Sequence, residues 1–391
     1  MTWKIAVVTG CRSEYHLLTP LLRRLSDADD IDLDLVVTGA HLDERQGMTV
    51  HAIEDDGFPI KLRIPITANA ETASDIDKAL SEELLGFDAY LSDARPDLVV
   101  LLGDRYEILS VAIAAMMHRI PIAHIHGGEV TEGAVDDSIR HAVTKMSTLH
   151  FASCQAHRNR VIQLGENPAH VFDVGACGVE NIRTCKLMDR EDFFEDVGLN
   201  PDHPFFLITY HPTTLGNLEP VDEIDALFCA LARHRDHSFL FTCANADAGG
   251  VIINRELAEY AAAHDDAVLV PSLGLRRYLT ALSLADAVIG NSSSGLLEAP
   301  SFGVPTINIG DRQKGRMQAA SVISCPIEAS AISDAIVQAV SPKFRAVAAT
   351  AKNPYGDGHA SEKIMAEIRR YLGQPCKEAG KPFYDIEFNG R

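Results

Sequence analysis

Short apolar runs alternate with longer amphipathic stretches along most of the chain. The clearest runs are Lys4–Thr9, Leu33–Thr38, Leu98–Leu102, Ile122–Ile125 and Leu149–Ala152. They are continuously hydrophobic rather than alternating, which predicts parallel strands buried on both faces. Helical periodicity lies between them, at Leu17–Leu25, Ile76–Ala94 and Glu107–Met117, completing βαβ units. Asp173-Val-Gly-Ala-Cys-Gly178 ends this series with one more strand and a glycine turn, and the charged stretch Leu187–His203 reads as a helix and linker. A second series follows, with strands predicted at Phe205–Thr209, Ser238–Thr242, Ala267–Val270, Ala287–Ile289, Thr306–Ile309 and Val322–Cys325. Its helices are predicted at Val221–Arg235, Ile252–His264, Arg276–Ala285 and Ala329–Val340, with a last one at Ser361–Leu372 after an exposed turn at 354–358. The expected fold is α/β: two Rossmann-like domains, 1–185 and 186–372, facing across a cleft lined by strand ends. A tail, 373–391, is expected to be mobile or packed against a neighbouring surface.

Composition narrows the function more than the fold. Of 391 residues, 46% are hydrophobic and 23% charged, enough apolar material for two cores. The formal charge of −20, from 55 acidic and 35 basic residues, argues against wrapping nucleic acid, which needs a cationic field. It leaves room for a small anion held by a few local donors. The eight cysteines include no CxxC and read as small buried hydrophobes of a reducing compartment. The start MTWKIAVVTG has no secretory pattern, and no apolar run approaches the ~20 residues of a membrane span. The expectation is a soluble cytoplasmic protein without membrane partners.

Candidate chemistry gathers at predicted strand ends. Thr9-Gly-Cys-Arg-Ser-Glu-Tyr15 joins a strand to a helix, where Arg12 either meets a phosphate or pairs with Glu14 at the surface. It is neither GxGxxG nor a Walker loop. Gly103-Asp104-Arg105 delivers an acid and a base at a strand terminus; the plainer reading makes Asp104 a helix cap and Arg105 its ion-pair partner. The densest polar stretch, His124-Ile-His-Gly-Gly-Glu129, puts His124 and His126 on one strand face, with Glu129 beyond the glycines. Asp136-Asp-Ser-Ile-Arg-His141 reads as a helix start capped by Asp136 or Asp137, with Arg140 and His141 on its first turns. These groups suit proton transfer, and metal ligation or ordinary capping are the competing readings. In the second half His211-Pro212, Asn245 and Gly290-Asn-Ser-Ser-Ser-Gly295 close strands. Ser292, Ser293 and free N–H groups there can surround a phosphate or ribose, with Glu298 one turn into the following helix.

Taken in order, these motifs, together with Asp311-Arg312-Gln313 and Gly315-Arg316, resemble the hydrolysing UDP-N-acetylglucosamine 2-epimerase family over residues 3–370. The resemblance implies the paired Rossmann-like architecture of GT-B glycosyltransferases, with UDP against the C-terminal domain and the sugar facing the N-terminal one. Members eliminate UDP across C1 and C2 of a 2-acetamido sugar and hydrate the glycal, releasing a free sugar inverted at C2. No metal or redox cofactor is implied, and a homo-oligomer, dimer or tetramer, is expected. By motif match Asp104, His126, Glu129, Asp136, Asp137 and His211 become candidate catalytic residues. Arg12, Arg105, Arg140, His141, Asn245, Ser272, Ser292, Ser293, Glu298 and Arg312 become candidate substrate contacts.

The segment departs from the family at His126, where members acting on UDP-N-acetylglucosamine tend to have glutamate. In this it looks like the sister group acting on UDP-N,N'-diacetylbacillosamine, on the route to legionaminic acid. The alternatives are a hydrolysing UDP-N-acetylglucosamine 2-epimerase serving sialic acid synthesis and, from a different class, a UDP-sugar glycosyltransferase.

Overall fold

The computed structural model describes residues 2–66, 72–130, 135–212, 218–244, 249–374 and 381–387. The chain forms two compact units, Met1–Asn181 with Tyr355–Arg391, and Ile182–Pro354. The first unit holds seven parallel strands: β1 (Trp3–Thr9), β2 (Ile31–Thr38), β3 (Ile60–Ile64), β4 (Leu98–Leu102), β5 (Ile122–Ile125), β6 (Leu149–Ala152) and β7 (Val171–Asp173). Their order across the sheet is β3-β2-β1-β4-β5-β6-β7. Every residue of β4 and β5 is buried, as their unbroken hydrophobicity requires. One face packs Ile5, Val7, Leu35 and Val37 against Leu18, Leu21, Leu22 and Leu25 of the helix Arg12–Ser26. The other packs Ala6, Val8, Val99 and Leu101 against Phe87, Leu91, Ile108 and Val111.

The last helix, Ala360–Leu372, belongs to this first unit and not to the second domain, where its place in the sequence had put it. Its stripe Ile364, Ile368 and Leu372 completes the core over the helix Arg12–Ser26. Arg24 donates to Ser361 Oγ at 2.7 Å, and Ser361 N and Oγ both donate to Glu180, at 2.7 and 2.6 Å. An amphipathic stripe records that a helix covers a sheet, not which one. The turn at 354–358, expected to be exposed, instead buries Tyr355, whose carbonyl accepts from Ala176 N at 2.7 Å.

The second unit holds β8 (Phe205–Thr209), β9 (Ser238–Thr242), β10 (Ala267–Val270), β11 (Ala287–Gly290), β12 (Thr306–Ile309) and β13 (Val322–Cys325), all parallel, in the order β10-β9-β8-β11-β12-β13. Helices cover both faces, with Phe206, Ile208, Phe239 and Phe241 on one side and Phe205, Leu207, Leu240 and Leu279 on the other. In each unit the strand order reverses once, between β1 and β4 and between β8 and β11. Open parallel sheets bind ligands at such reversals, outside the carboxyl ends of the strands. At the second reversal Gly290 has φ +136, and a Cβ there would run into the Thr209 carbonyl. Only glycine lets β11 end this close to β8.

Among the described residues no helix is long and apolar enough to cross a membrane. Cys11, Cys154 and Cys177 are buried as expected, but Cys229 is exposed on a helix. Cys376 lies outside the described residues.

Candidate active site

In the first unit the chain leaves β1 through Gly10 into the helix Arg12–Ser26. Glu14 turns inward rather than pairing with Arg12: its Oε2 accepts from Gly10 N at 2.8 Å, while Oε1 is buried without a hydrogen bond. Arg12 instead donates to His16 Nε2 at 3.3 Å on the exposed side. Arg105 does not pair with Asp104. It forms a two-point contact with the buried Glu107, Nε to Oε2 at 3.1 Å and Nη2 to Oε1 at 2.8 Å. Arg12, His16, Asp43, Arg105 and Glu107 all border one cavity of about 650 Å³ at this reversal. That is room for a sugar-nucleotide fragment.

Glu83 is fully buried, and the desolvation of its carboxyl pushes its pKa up to about 8. The hydrogen bonds agree with a protonated acid. Thr38 Oγ1 lies 2.9 Å from Ile64 O and 3.0 Å from Glu83 Oε1. Ser110 Oγ meets Glu107 O at 2.9 Å and Glu83 Oε2. The single proton of a neutral Glu83 can go to one of these hydroxyls, which gives its own to a backbone carbonyl, while the other hydroxyl donates to the second carboxyl oxygen. A carboxyl whose folded value exceeds the ordinary 4.5 contributes stability fully present below about 4.5 and lost as pH rises through about 8. Glu83→Gln is therefore expected to melt close to wild type at pH 5 and several degrees above it at pH 9. Melting curves at the two pH values check this, and a constant offset would contradict it.

The second cluster surrounds the ends of β4 and β5. His124 is buried, which lowers its pKa to about 3, so its ring is neutral. Its Nε2 donates to Gly103 O at 2.7 Å and its Nδ1 accepts from Thr144 Oγ1 at 3.2 Å. His126 does not share its strand face. β5 stops at Ile125, and His126 takes a left-handed φ of +66 that breaks the alternation. Its Nε2 accepts from Cys177 N at 3.3 Å, which leaves the ring proton on Nδ1, 3.7 Å from Glu129 Oε1. Glu129 Oε1 also accepts from Ser153 Oγ at 2.6 Å.

Arg140 is the centre of this cluster. It is buried on the helix Val135–Met146 and contacts Asp104 Oδ2, Asp137 Oδ1 at 2.8 Å and Glu129 O at 2.8 Å. The acids thus do not form a bare like-charge cluster; a guanidinium stands between Asp104 and Asp137. Asp104 is not the cap of the helix Tyr106–Met117, whose N-cap is Arg105. His141 Nε2 lies 3.8 Å from Asp137 Oδ2, and Asp136 is exposed on the first turn. Among the described residues no three His, Cys, Asp or Glu side chains are grouped to hold a metal ion.

In the second unit a residue absent from the sequence-based candidates organises the reversal. Asn291, buried at the end of β11, accepts from His211 N at 2.7 Å through Oδ1 and donates to His211 O at 2.7 Å through Nδ2. Its own carbonyl accepts from Gln313 Nε2 at 2.8 Å and Arg312 Nη1 at 3.3 Å. His211, Ser292, Ser293 and Arg312 are so brought to one place. The helix after the serines, Ser294–Leu297, is a single turn, too short for the helix-end field expected there, and Glu298 lies at its junction with a 3-10 turn. Burial raises the Glu298 pKa to about 7, and its Oε2 is shut away without a hydrogen bond. Ser272 follows β10, with β9 and β8 between it and this cluster, and its Oγ faces Gly274 N at 3.4 Å. Asn245 lies outside the described residues.

Two parallel Rossmann-like sheets, each with polar side chains massed at its strand-order reversal, define a two-domain α/β protein. The family model "UDP-N-acetylglucosamine 2-epimerase" matches residues 23–369. The chain is 41% identical over 384 residues to the polysialic acid biosynthesis protein P7 of Escherichia coli, covering 98% of this chain and 97% of that one. It is 38% identical over 374 residues to a UDP-N,N'-diacetylbacillosamine 2-epimerase (hydrolyzing) of Legionella pneumophila, covering 94% and 96%. The fold matches the crystal structure of the UDP-GlcNAc 2-epimerase from Neisseria meningitidis, with TM-score 0.76, 18% identity and coverage of 94% and 100%. The chain belongs to the UDP-N-acetylglucosamine 2-epimerase family, and it is a hydrolysing UDP-sugar 2-epimerase.

Proposed function

We propose that the enzyme eliminates UDP from UDP-N,N'-diacetylbacillosamine and hydrates the glycal to 2,4-diacetamido-2,4,6-trideoxymannose, for legionaminic-acid-type sugar synthesis. One observation carries the site reading: buried Arg140 holds Asp104 and Asp137 together beside the His126–Glu129 pair. The C2 proton is weakly acidic, so its removal needs a carboxylate or imidazole in close contact. Asp104, Asp137 and Glu129 are the bases best held for that work, with Asp136 and His141 at the rim. Arg140 fixes two of them while matching their charge. Departure of UDP develops charge on phosphate oxygens, which Arg312, Ser292 and Ser293 of the second unit can receive, with His211 at the same reversal. Arg105, engaged by Glu107, shapes the cavity wall. A raised Glu298 carboxyl can both donate to and accept from ribose hydroxyls.

Two observations support this substrate: His126 and the name of the Legionella pneumophila relative. With Nε2 taken by a backbone N–H, the imidazole presents a donor where the glutamate of other members presents an acceptor. Comparing kcat/KM for UDP-N,N'-diacetylbacillosamine and UDP-N-acetylglucosamine tests the proposal. The wild type should favour the first, and His126→Glu should shift the ratio about tenfold or more toward the second. A wild-type preference for UDP-N-acetylglucosamine would overturn the substrate. Equal loss on both substrates would make His126 a proton-transfer group.

A further inference from the structure

The C-terminal segment 381–387 lies along the first unit with little apolar burial; Phe383 is 63% exposed and Ile386 46%. What ties it down is mainly one ammonium group. Lys381 Nζ donates to Thr144 O at 3.2 Å, Lys145 O at 2.8 Å and Ser147 O at 2.6 Å, and pairs with Glu166 Oε2 at 2.6 Å. The carbonyls form the C-terminal end of the helix Val135–Met146, where a cation is favoured; Thr144 O also accepts from Ser147 N at 3.1 Å. Glu166 is buried and also bound by Lys145 Nζ at 2.7 Å and His150 Nε2 at 2.9 Å. Tyr384 N donates to Gly165 O at 2.9 Å, and the Phe383 ring sits 4.9 Å from Lys145 Nζ.

The same helix carries Asp137 and Arg140, and it meets the strand ends at two successive turns. Arg140 holds Asp104 at the first. At the second, four residues on and on the same face, Thr144 holds His124, which holds the carbonyl of Gly103, the residue before Asp104. Lys381 grips the backbone of Thr144 itself. A small slide of this helix along its axis would move Arg140 and Asp137 away from Asp104, and misplacement on that scale matters for proton transfer.

We infer that Lys381 is a positioning residue of the epimerase: its ammonium caps the helix Val135–Met146 from the C-terminal segment and fixes where Arg140 and Asp137 stand against Asp104. This rests on the reading of Asp104 and Arg140 as the working site. It makes a segment remote in sequence from every motif part of the catalytic apparatus.

Lys381→Met keeps the aliphatic stem and removes the donors, and Lys381→Arg restores a cation. Three readouts decide: UDP release from UDP-N,N'-diacetylbacillosamine per folded molecule, UDP affinity by titration, and amide exchange in residues 135–147. Lys381→Met should lower kcat about 10–100-fold with KM and UDP affinity within about twofold, and should speed exchange at the end of that helix. Lys381→Arg should recover most of the loss. A folded Lys381→Met enzyme with kcat within about twofold of wild type overturns the role. So does a loss shared equally by UDP affinity and by protection across the whole unit, since that is general destabilisation. Wild-type turnover is the control: if it is normal and the variant's is too, only the role of Lys381 falls, whereas a wild type releasing no UDP overturns the functional reading.

Discussion

Asp104→Asn is expected to lower turnover about 10²–10⁴-fold while UDP affinity stays near wild type. The substitution keeps size and one oxygen for Arg140 but removes the charge. Asp104 does not cap the neighbouring helix and is not deeply buried, with a quarter of its side chain exposed. Its loss should therefore disturb stability little, and the rate effect is separable from unfolding. Steady-state UDP release, UDP titration and a melting curve on one preparation check the three parts. Near-normal turnover in a folded variant would remove Asp104 from the chemistry and leave it a partner of Arg140.

Asn291→Ala is expected to be the most damaging single change in the second unit. The Asn291 amide spans the ends of β8 and β11 with two 2.7 Å bonds to the backbone of His211, which is itself buried. Removing that partner from two buried polar groups costs about 2–4 kcal/mol, or roughly 5–15 °C in melting temperature for a unit of this size. UDP binding should weaken as well, because the backbone carbonyl of residue 291, kept by the substitution but no longer fixed by the amide, is the anchor of Gln313 and Arg312. Calorimetry with and without UDP tests both effects. Unchanged melting would show that the two strand ends hold together without the amide.

The parallel strands were legible because they are buried on both faces and their hydrophobic runs have no competing pattern. β3 escaped notice because it is an edge strand with Lys61 and Arg63 turned outward. The helix Cys177–Thr184 was read as a glycine turn, since Gly178 inside its first turn is a breaker by propensity. Pair-level chemistry was less legible than motif position. Asp104-Arg105 and Arg12-Ser-Glu14 suggest neighbouring ion pairs, yet strand and helix geometry sends each side chain to a partner elsewhere: Asp104 to Arg140, Arg105 to Glu107, and Glu14 to Gly10. Arg140's role as the hub depends on a contact spanning 36 positions, which spacing alone cannot show. Asn291 stood inside a motif already singled out. The signal that could have found it was its place directly after the glycine that ends β11, where a short amide side chain can bridge to the adjacent strand end. The buried acids Glu14, Glu83 and Glu107 had weaker signals, since each sits on a helix where a carboxylate ordinarily faces solvent.

Elimination of UDP across C1 and C2 followed by hydration leaves a solvent hydrogen at C2. Its most direct test is the reaction run in deuterated water, with the product analysed by NMR and mass spectrometry. Released UDP and a free sugar, inverted at C2 and carrying one solvent-derived deuterium at that carbon, are expected. A free sugar that keeps its original C2 hydrogen, or a product still linked to UDP, would contradict it.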